Sequence, residues 1–345
     1  MIWENTGIEE KVASKATIKD VAALAGVSRA TVSRVLNGTA VVSKETSQAV
    51  QRAVEETGYT INAQAQALAL GRTNTIGVLL TEPFDELYED PTYSSIMRGI
   101  TEALAETQMF PLLFQAYTAA EREKAFRIIK RGAVDAVIHL SPFDDPEGLA
   151  TLADSRIPVV LCGQIIGESY SDRFSCVYAD DVEGAEIAAR HIADLGSTNI
   201  GLIMGERQAP ATRDRLVGYG NVLGEKIHDD RVIFGGWDQI TGARGIEELL
   251  TRDPSIDAVI CGSDRIAAGA MEFLHARGIE VPRQIAIIGF DDHRVASQTS
   301  PTMTTIAQPM NLQGRKAAEL ALDMLAGGAP QTVVLEMELK KRESA

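Results

Sequence analysis

The amino-acid sequence predicts an α/β protein in which a small helix-turn-helix head precedes a body of two doubly wound parallel sheets. Three observations carry that prediction. Residues 17–37, TIKDVAALAGVSRATVSRVLN, read as two short helices around a glycine turn. From Thr75 onward, short β-rich runs alternate with helical stretches, the pattern of βα units in a parallel sheet. The body also repeats itself: TIGVLL (75–80) returns as NIGLIM (199–204), VDAVI (134–138) as IDAVI (256–260), and IPVVLCG (157–163) as VPRQIAIIGF (281–290). Three matches in one order imply two similar halves.

In the head, Thr17 with Asp20 three residues on forms a capping-box start, and Ile18, Val21, Ala22 and Ala25 follow at helical spacing. Gly26 ends that helix, and Ser28 is placed to cap the next. Projected at about 100° per residue, the second helix carries Val32, Val35 and Leu36 on one side and Arg29, Ala30, Ser33, Arg34 and Asn37 on the other. Short polar residues and two arginines have the reach and donor pattern to read base edges in the DNA major groove. A helical hairpin inside a larger core would show the same local pattern. Ser43 to Gly58 reads as a third helix, capped by Ser43, packed through Val50 and Val54 and stopped at Gly58, with Tyr59 beneath it. The following INAQAQALALGRTN has Asn62 as a cap and a short run of strong helix formers ending at Gly71. Below about 12 residues an isolated helix hardly repays nucleation, so this segment is expected to be disordered when free. A plain flexible linker is the other reading.

The chain has 345 residues, 45% of them hydrophobic, enough for two or three domains of an ordinary globular protein. Its mean hydropathy is −0.02. No apolar run reaches the roughly 18 residues of a membrane span, so no membrane partner is expected. Residues 1–16, MIWENTGIEEKVASKA, are mixed in charge without an apolar core and read as a flexible tail rather than a secretory signal. Cys162, Cys176 and Cys261 occur singly in apolar surroundings, which suits buried thiols in a reducing cytoplasm. A net charge of −15 argues against nucleic acid until its distribution is considered. Residues 17–73 hold six Lys/Arg against four Asp/Glu, so the acidity belongs to the body. One mildly basic head would bind DNA weakly, and two heads on one site would compensate.

Enzyme readings find little support. The five histidines (His139, His191, His228, His275, His293) lack metal-ligand spacing, and no GxGxxG, GxxxxGK[ST] or GxSxG occurs, so neither cofactor nor metal is expected. Asp144-Asp145 and Asp180-Asp181 could imitate a catalytic pair. Adjacent residues on a strand point to opposite faces, however, and both pairs read as solvated or structural.

Residues 17–72 resemble the DNA-binding headpiece of the LacI/GalR (lac repressor) family, in the run TIKDVAALAGVSRATVSRVLNG, in Val42-Ser43 opening the third helix and in Gly58-Tyr59 closing it. The resemblance implies a base-reading set of Arg29, Ala30 and Arg34, with Thr17, Ser28, Thr31, Ser33 and Asn37 as further DNA contacts. It also implies that residues 61–73 are a hinge helix that folds on DNA and places Leu68 in the minor groove, prying a base step open. The family pattern has Arg two positions before that leucine. Gln66 stands there instead, which puts the local phosphate contact in doubt. The body, residues 74–345, resembles the periplasmic-binding-protein fold that the family uses as its effector domain. There the chain crosses three times between lobes. The crossings are expected near 164–176, 291–303 and 327–331, giving an N-lobe of about 74–164 and 303–327 and a C-lobe of about 176–291 and 331–345.

Twin parallel sheets place a ligand crevice at the carboxyl ends of their strands, between the halves. By resemblance, Arg215 in RDRLVGY binds a hydroxyl or carboxylate of the ligand; a surface helix arginine is the competing reading. Trp237 stands where the family uses an aromatic platform, and an indole face suits the C–H face of a pyranose, although burial in the core would also suit it. Asp291 follows the strand AIIGF, and a carboxylate there can accept two hydroxyl hydrogen bonds. Ser263-Asp264 match an Asn-Asp pair of the family, with Ser removing an amide contact. Tyr93 matches an aromatic that closes the pocket from the N-terminal half, and Gln308 is a further candidate. The resemblance implies a cytoplasmic, ligand-controlled transcription regulator that acts as a repressor. It would bind a pseudo-palindromic double-stranded operator as a homodimer, with a small-molecule effector, a sugar or sugar derivative, held between the lobes. A sugar-binding transport component and a sugar- or nucleotide-processing enzyme are the alternatives; the head and the lack of a signal segment argue against the first.

Overall fold

The computed structural model describes residues 16–37, 42–60, 71–142, 146–163, 170 and 172–345. The tail at 1–15, the hinge residues 61–70 with Leu68, and Asp144-Asp145 lie outside the described residues. The chain divides into two compact units, residues 1–73 and 74–345.

In the first unit, α1 (Ile18–Ala25), α2 (Arg29–Asn37) and α3 (Lys44–Thr57) surround a core of Val21, Ala22, Val32, Val50 and Ala53. Local chemistry sets each boundary. The Asp20 carboxylate accepts from the Thr17 backbone N–H and hydroxyl, both at 2.8 Å, and these bonds lower its pKa. Gly26 closes α1 at φ +67°, a left-handed conformation that glycine enters without a Cβ clash. Ser28 and Ser43 accept from the N–H groups of Thr31 (3.1 Å) and Thr46 (3.2 Å), satisfying donors that the starts of α2 and α3 leave open.

In the second unit the strands, in chain order, are β1 (Thr75–Leu80), β2 (Phe110–Gln115), β3 (Ala136–Leu140), β4 (Val159–Cys162), β5 (Phe174–Ala179), β6 (Ile200–Met204), β7 (Val232–Phe234), β8 (Ala258–Cys261), β9 (Ala286–Asp291), β10 (Thr304–Ala307), β11 (Thr332–Leu335) and β12 (Glu338–Lys340). The helices are α4 (Pro91–Leu104), α5 (Ala119–Lys130), α6 (Pro146–Asp154), α7 (Asp181–Asp194), α8 (Pro210–Leu223), α9 (Gln239–Arg252), α10 (Asp264–Ala276) and α11 (Met310–Leu325). Two six-stranded sheets result, ordered β11-β5-β4-β3-β1-β2 and β12-β10-β9-β8-β6-β7. The sequence repeat is therefore a structural repeat: β1, β3 and β4 hold the same places in one sheet as β6, β8 and β9 in the other. All neighbours are parallel except β12, which runs antiparallel to β10. β3, β4, β6 and β8 are buried along their whole length, as strands covered on both faces must be. The three cysteines are buried free thiols.

The lobe boundaries expected from the sequence need correction. β5 stays beside β4 in the N-lobe sheet, so the first crossing falls at Asp180 and not within 164–176. β10 pairs with β9 in the C-lobe, which moves the second crossing from 291–303 to residues 308–309. TVVL of β11 pairs with β5 in the N-lobe, and only β12 returns to the C-lobe, so the third crossing is at 336–337 instead of 327–331. The reason is pairing energy: each of these strands joins the sheet whose last strand still has an unpaired edge, which no local signal in the strand announces.

The covering helices approach to backbone contact. A Cβ on Gly99 of α4 would lie 2.0 Å from the Asn311 carbonyl oxygen of α11, and one on Gly314 would lie 2.0 Å from that of Ile96. Gly314→Ala is expected to lower stability by about 1–3 kcal/mol, because overpacking here meets rigid backbone. Gly220→Ala on α8, where a Cβ enters open space, is expected to be neutral or to stabilise by up to about 1 kcal/mol. Urea melts of the two variants check the contrast.

Candidate functional site

Two surfaces carry the residues singled out in the sequence. In the head, Thr17, Ser28, Arg29, Ala30 and Arg34 are exposed, and Thr31 and Ser33 are half-buried. Val32 is fully buried, so α2 packs through one side and presents Arg29, Ala30 and Arg34 outward. The hydroxyls of Ser28 and Thr31 lie 2.9 Å apart within the cap of α2, and Thr17 donates to Asp20. Asn37 is the last residue of α2.

The second surface is built at the carboxyl ends of the strands. Arg215 of α8 is 3% exposed, a position a guanidinium occupies only when its charge and donors are met. Its Nε donates to Asp181 Oδ1 at 2.7 Å, its Nη1 donates to the Gly262 carbonyl after β8, and its Nη2 lies 3.7 Å from Asp291 Oδ1. The guanidinium carbon sits 3.7 Å from the centre of the Phe290 ring and 5.7 Å from that of Trp237. Asp291, the last residue of β9, also accepts from Gln308 Nε2 at 2.6 Å. Burial pushes the Asp291 carboxyl up to about 6, against the pull of His293 and Arg215. Trp237 closes over the backbone of Gly205, where even a methyl group would collide with the indole.

The N-lobe strand ends contribute neutral groups. The Tyr93 hydroxyl lies 2.9 Å from Ser141 Oγ, Thr81 Oγ1 donates to the Ser141 carbonyl at 3.1 Å, and Gln115 Nε2 donates to the Glu82 carbonyl at 2.7 Å. His139 is fully buried and held neutral, its pKa lowered by desolvation to about 3. Positive φ values cluster here as well: +54° at Ser141, +110° at Asp291 and +56° at Asp292. Backbone held this way concentrates where a site over-determines its geometry.

The structure thus brings Arg215, Trp237, Asp291 and Gln308 together on the C-lobe side, and places Tyr93 on the N-lobe side. Two further candidates, Asp264 and Ser263, carry structural bonds. Asp264 is fully buried, with Oδ1 accepting from Thr305 Oγ1 (2.5 Å) and Oδ2 from the His293 N–H (2.6 Å), so it anchors the loop after β9. Ser263 is 3% exposed and caps α10 by accepting from the Ile266 N–H. Asp180 and Asp181, read from the sequence as solvated or structural, divide: Asp180 caps α7, while Asp181 is the principal partner of Arg215.

Comparison with known proteins decides the family. A family description of bacterial regulatory proteins of the lacI family matches residues 17–62, and one of a periplasmic-binding-protein-like domain matches residues 189–345. The HTH-type transcriptional regulator CelR of Thermobifida fusca is 35% identical, over 95% of this chain and 98% of its own. The regulator GalR of Escherichia coli is 36% identical, over 89% and 88%.

The chain belongs to the LacI family.

Among solved structures, a CelR–cellobiose complex superposes with a TM-score of 0.75 at 34% identity, covering 96% of this chain and all of that one. A lac repressor dimer bound to operator and the anti-inducer ONPF superposes with a TM-score of 0.83 at 25% identity, covering 95% and 98%. As a LacI-family member, the protein is a DNA-binding transcriptional regulator with a helix-turn-helix head and a periplasmic-binding-protein-like body. Among the described residues no helix is long and apolar enough to cross a membrane, and no His/Cys/Asp/Glu group could hold a metal ion.

Sequence reasoning missed Asp181, Phe290 and His293. The signal for Asp181 was present in the Asp-Asp pair after a strand, but its partner Arg215 lies 34 residues away and only the fold joins them. A pH dependence follows from Asp291. Between 3.8 and about 6 the folded protein keeps a proton that the unfolded chain has lost. The stabilising contribution is therefore complete below pH 3.8 and disappears as pH rises through 6. Asp291→Asn removes that titration, so wild-type stability relative to the variant is expected to fall as pH rises from about 4 to about 7. Urea midpoints across the range test this; a constant difference would contradict it.

Proposed function

We propose that this LacI-family regulator is a repressor that binds a pseudo-palindromic operator as a homodimer and is controlled by an uncharged sugar held between its lobes. In this reading Arg29, Ala30 and Arg34 read each half-site, and Leu68 enters the minor groove at the centre. The observation that carries the effector assignment is the buried Arg215–Asp291–Gln308 set beside Trp237: oriented acceptors and donors next to an indole face suit hydroxyls and the C–H face of a pyranose. Arg215 is already answered by Asp181 and Asp291, so a phosphorylated or carboxylated ligand would meet net negative charge. The cellobiose complex of a relative at 34% identity supports the same class. The cleft is then a binding site, and incubation with saccharides is expected to leave them chemically unchanged. The effector acts on operator affinity only through its different affinity for two lobe arrangements.

Two measurements test the proposal. Arg34→Ala is expected to weaken specific operator binding by about 1–3 kcal/mol while leaving effector binding unchanged; an unaltered affinity removes Arg34 from the reading set. In a thermal-shift panel of neutral saccharides, their phosphates and uronic acids, a neutral saccharide such as cellobiose is expected to raise the melting temperature by mass action, and Asp291→Ala to abolish the shift. A shift confined to phosphorylated or acidic sugars would overturn the charge argument, and a shift confined to compounds other than sugars would overturn the sugar reading.

A further inference from the structure

One N-lobe segment, residues 89–92, running from the last residue of a helical turn (Glu86–Glu89) into the start of α4, is contacted by C-lobe side chains from two different elements. Arg265, the second residue of α10, places Nη1 3.7 Å from Asp90 Oδ2 and Nη2 3.9 Å from Glu89 Oε2. His293, in the loop after β9, has Nε2 3.3 Å from Thr92 Oγ1 and 4.0 Å from Asp90 Oδ1. Its other ring nitrogen lies 3.8 Å from Asp291 Oδ2 and has no hydrogen-bond partner among the described residues. The contacts on Asp90 are not a solvated rim, since the side chains of His293, Arg265 and Asp90 are 4%, 15% and 20% exposed; Glu89, at 66%, lies at the open edge.

The segment they hold is mechanically committed on the N-lobe side. Asp90 caps α4 by accepting from the Thr92 N–H at 2.8 Å, and the next residue is Tyr93, bonded to Ser141. On the C-lobe side the His293 N–H is fixed by Asp264, itself fixed by Thr305 of β10. The contact therefore joins the capped start of α4 to the loop that follows Asp291. On the N-lobe side it is remote from the crossings: β1, which leads into the segment, lies three strands away from β5, whereas on the C-lobe side the loop after β9 adjoins β10, from which the second crossing leaves. A contact whose N-lobe end lies away from the covalent connections opposes opening at that end of the cleft.

We propose that Arg265 and His293 are positioning residues that latch segment 89–92 onto the C-lobe, holding Tyr93 over the cleft and setting how far the lobes are closed. The latch acts on lobe geometry whatever the effector is, so its test needs no ligand.

Hydrogen exchange in the full-length protein reads it across the lobes. His293→Ala is expected to speed exchange of N-lobe amides around residues 86–93 by about tenfold or more, while Thr92→Val, a change of similar shape in the other lobe, is expected to speed exchange around residues 291–297. Arg265→Ala is expected to act on the same N-lobe amides. His293→Gln, which returns a donor and acceptor near the place of Nε2, is expected to restore most of the protection; a merely structural ring would not be rescued by it. Thr92→Val leaves the His293 loop unaltered, so it remains decisive if His293→Ala folds poorly. If each substitution loosens only its own lobe, or none, the latch does not exist. That outcome would leave the sugar reading untouched, just as a failed saccharide panel would leave the latch standing.

Discussion

A guanidinium withdrawn from water has to be answered on every side, and Arg215 imposes that demand on the whole C-lobe. Its charge draws Asp181 from the first turn of α7 and Asp291 from the end of β9; its donors take the Gly262 carbonyl beyond β8; its flat face lies on Phe290. Leaving any of these out would strand buried charge at several kcal/mol, so the ends of different elements are held in one arrangement. Asp291 in turn holds Gln308 after β10. The groups at these strand ends are thereby settled in position, the preorganisation that a selective site needs.

The same network reaches the connections between the lobes. Asp181 immediately follows the first crossing at Asp180, and Gln308 lies within the second, at 308–309. Any group that bonds Asp291 Oδ1 shares that oxygen with Gln308 and thereby touches a residue at which one lobe gives way to the other. Under the proposed function, coupling between effector occupancy and lobe arrangement would have a short physical route here: one hydrogen bond at 2.6 Å and one ion pair at 2.7 Å.

Much of the fold was legible because the signals were local. Gly26, Ser28, Ser43 and Gly58 mark helix ends by their own chemistry, and β1, β3 and β4 announce themselves twice, once in each half. Asp291 was legible as a carboxylate at the end of a strand, whereas Arg215 and Trp237 were singled out by resemblance; that they and Gln308 form one cluster is seen only in the fold. What could not be read was anything decided by a distant partner. FSCVYA and TVVL are apolar runs that would complete either sheet, and only the neighbour left unpaired by the rest of the chain assigns them. Asp264 has the composition of a ligand residue but is consumed by Thr305, which lies 41 residues on in the sequence. His293 carries no motif at all; its meaning comes from Thr92, 201 residues away.

The order in which the chain visits the two sheets has a bearing on how the protein is made. β11 closes the edge of one sheet and β12 that of the other, and both come from residues 332–340. During synthesis neither sheet can be finished until residues 332–340 have emerged from the ribosome. Until then β5 and β10 each offer a bare row of backbone donors and acceptors, the kind of template on which nascent chains adhere to one another.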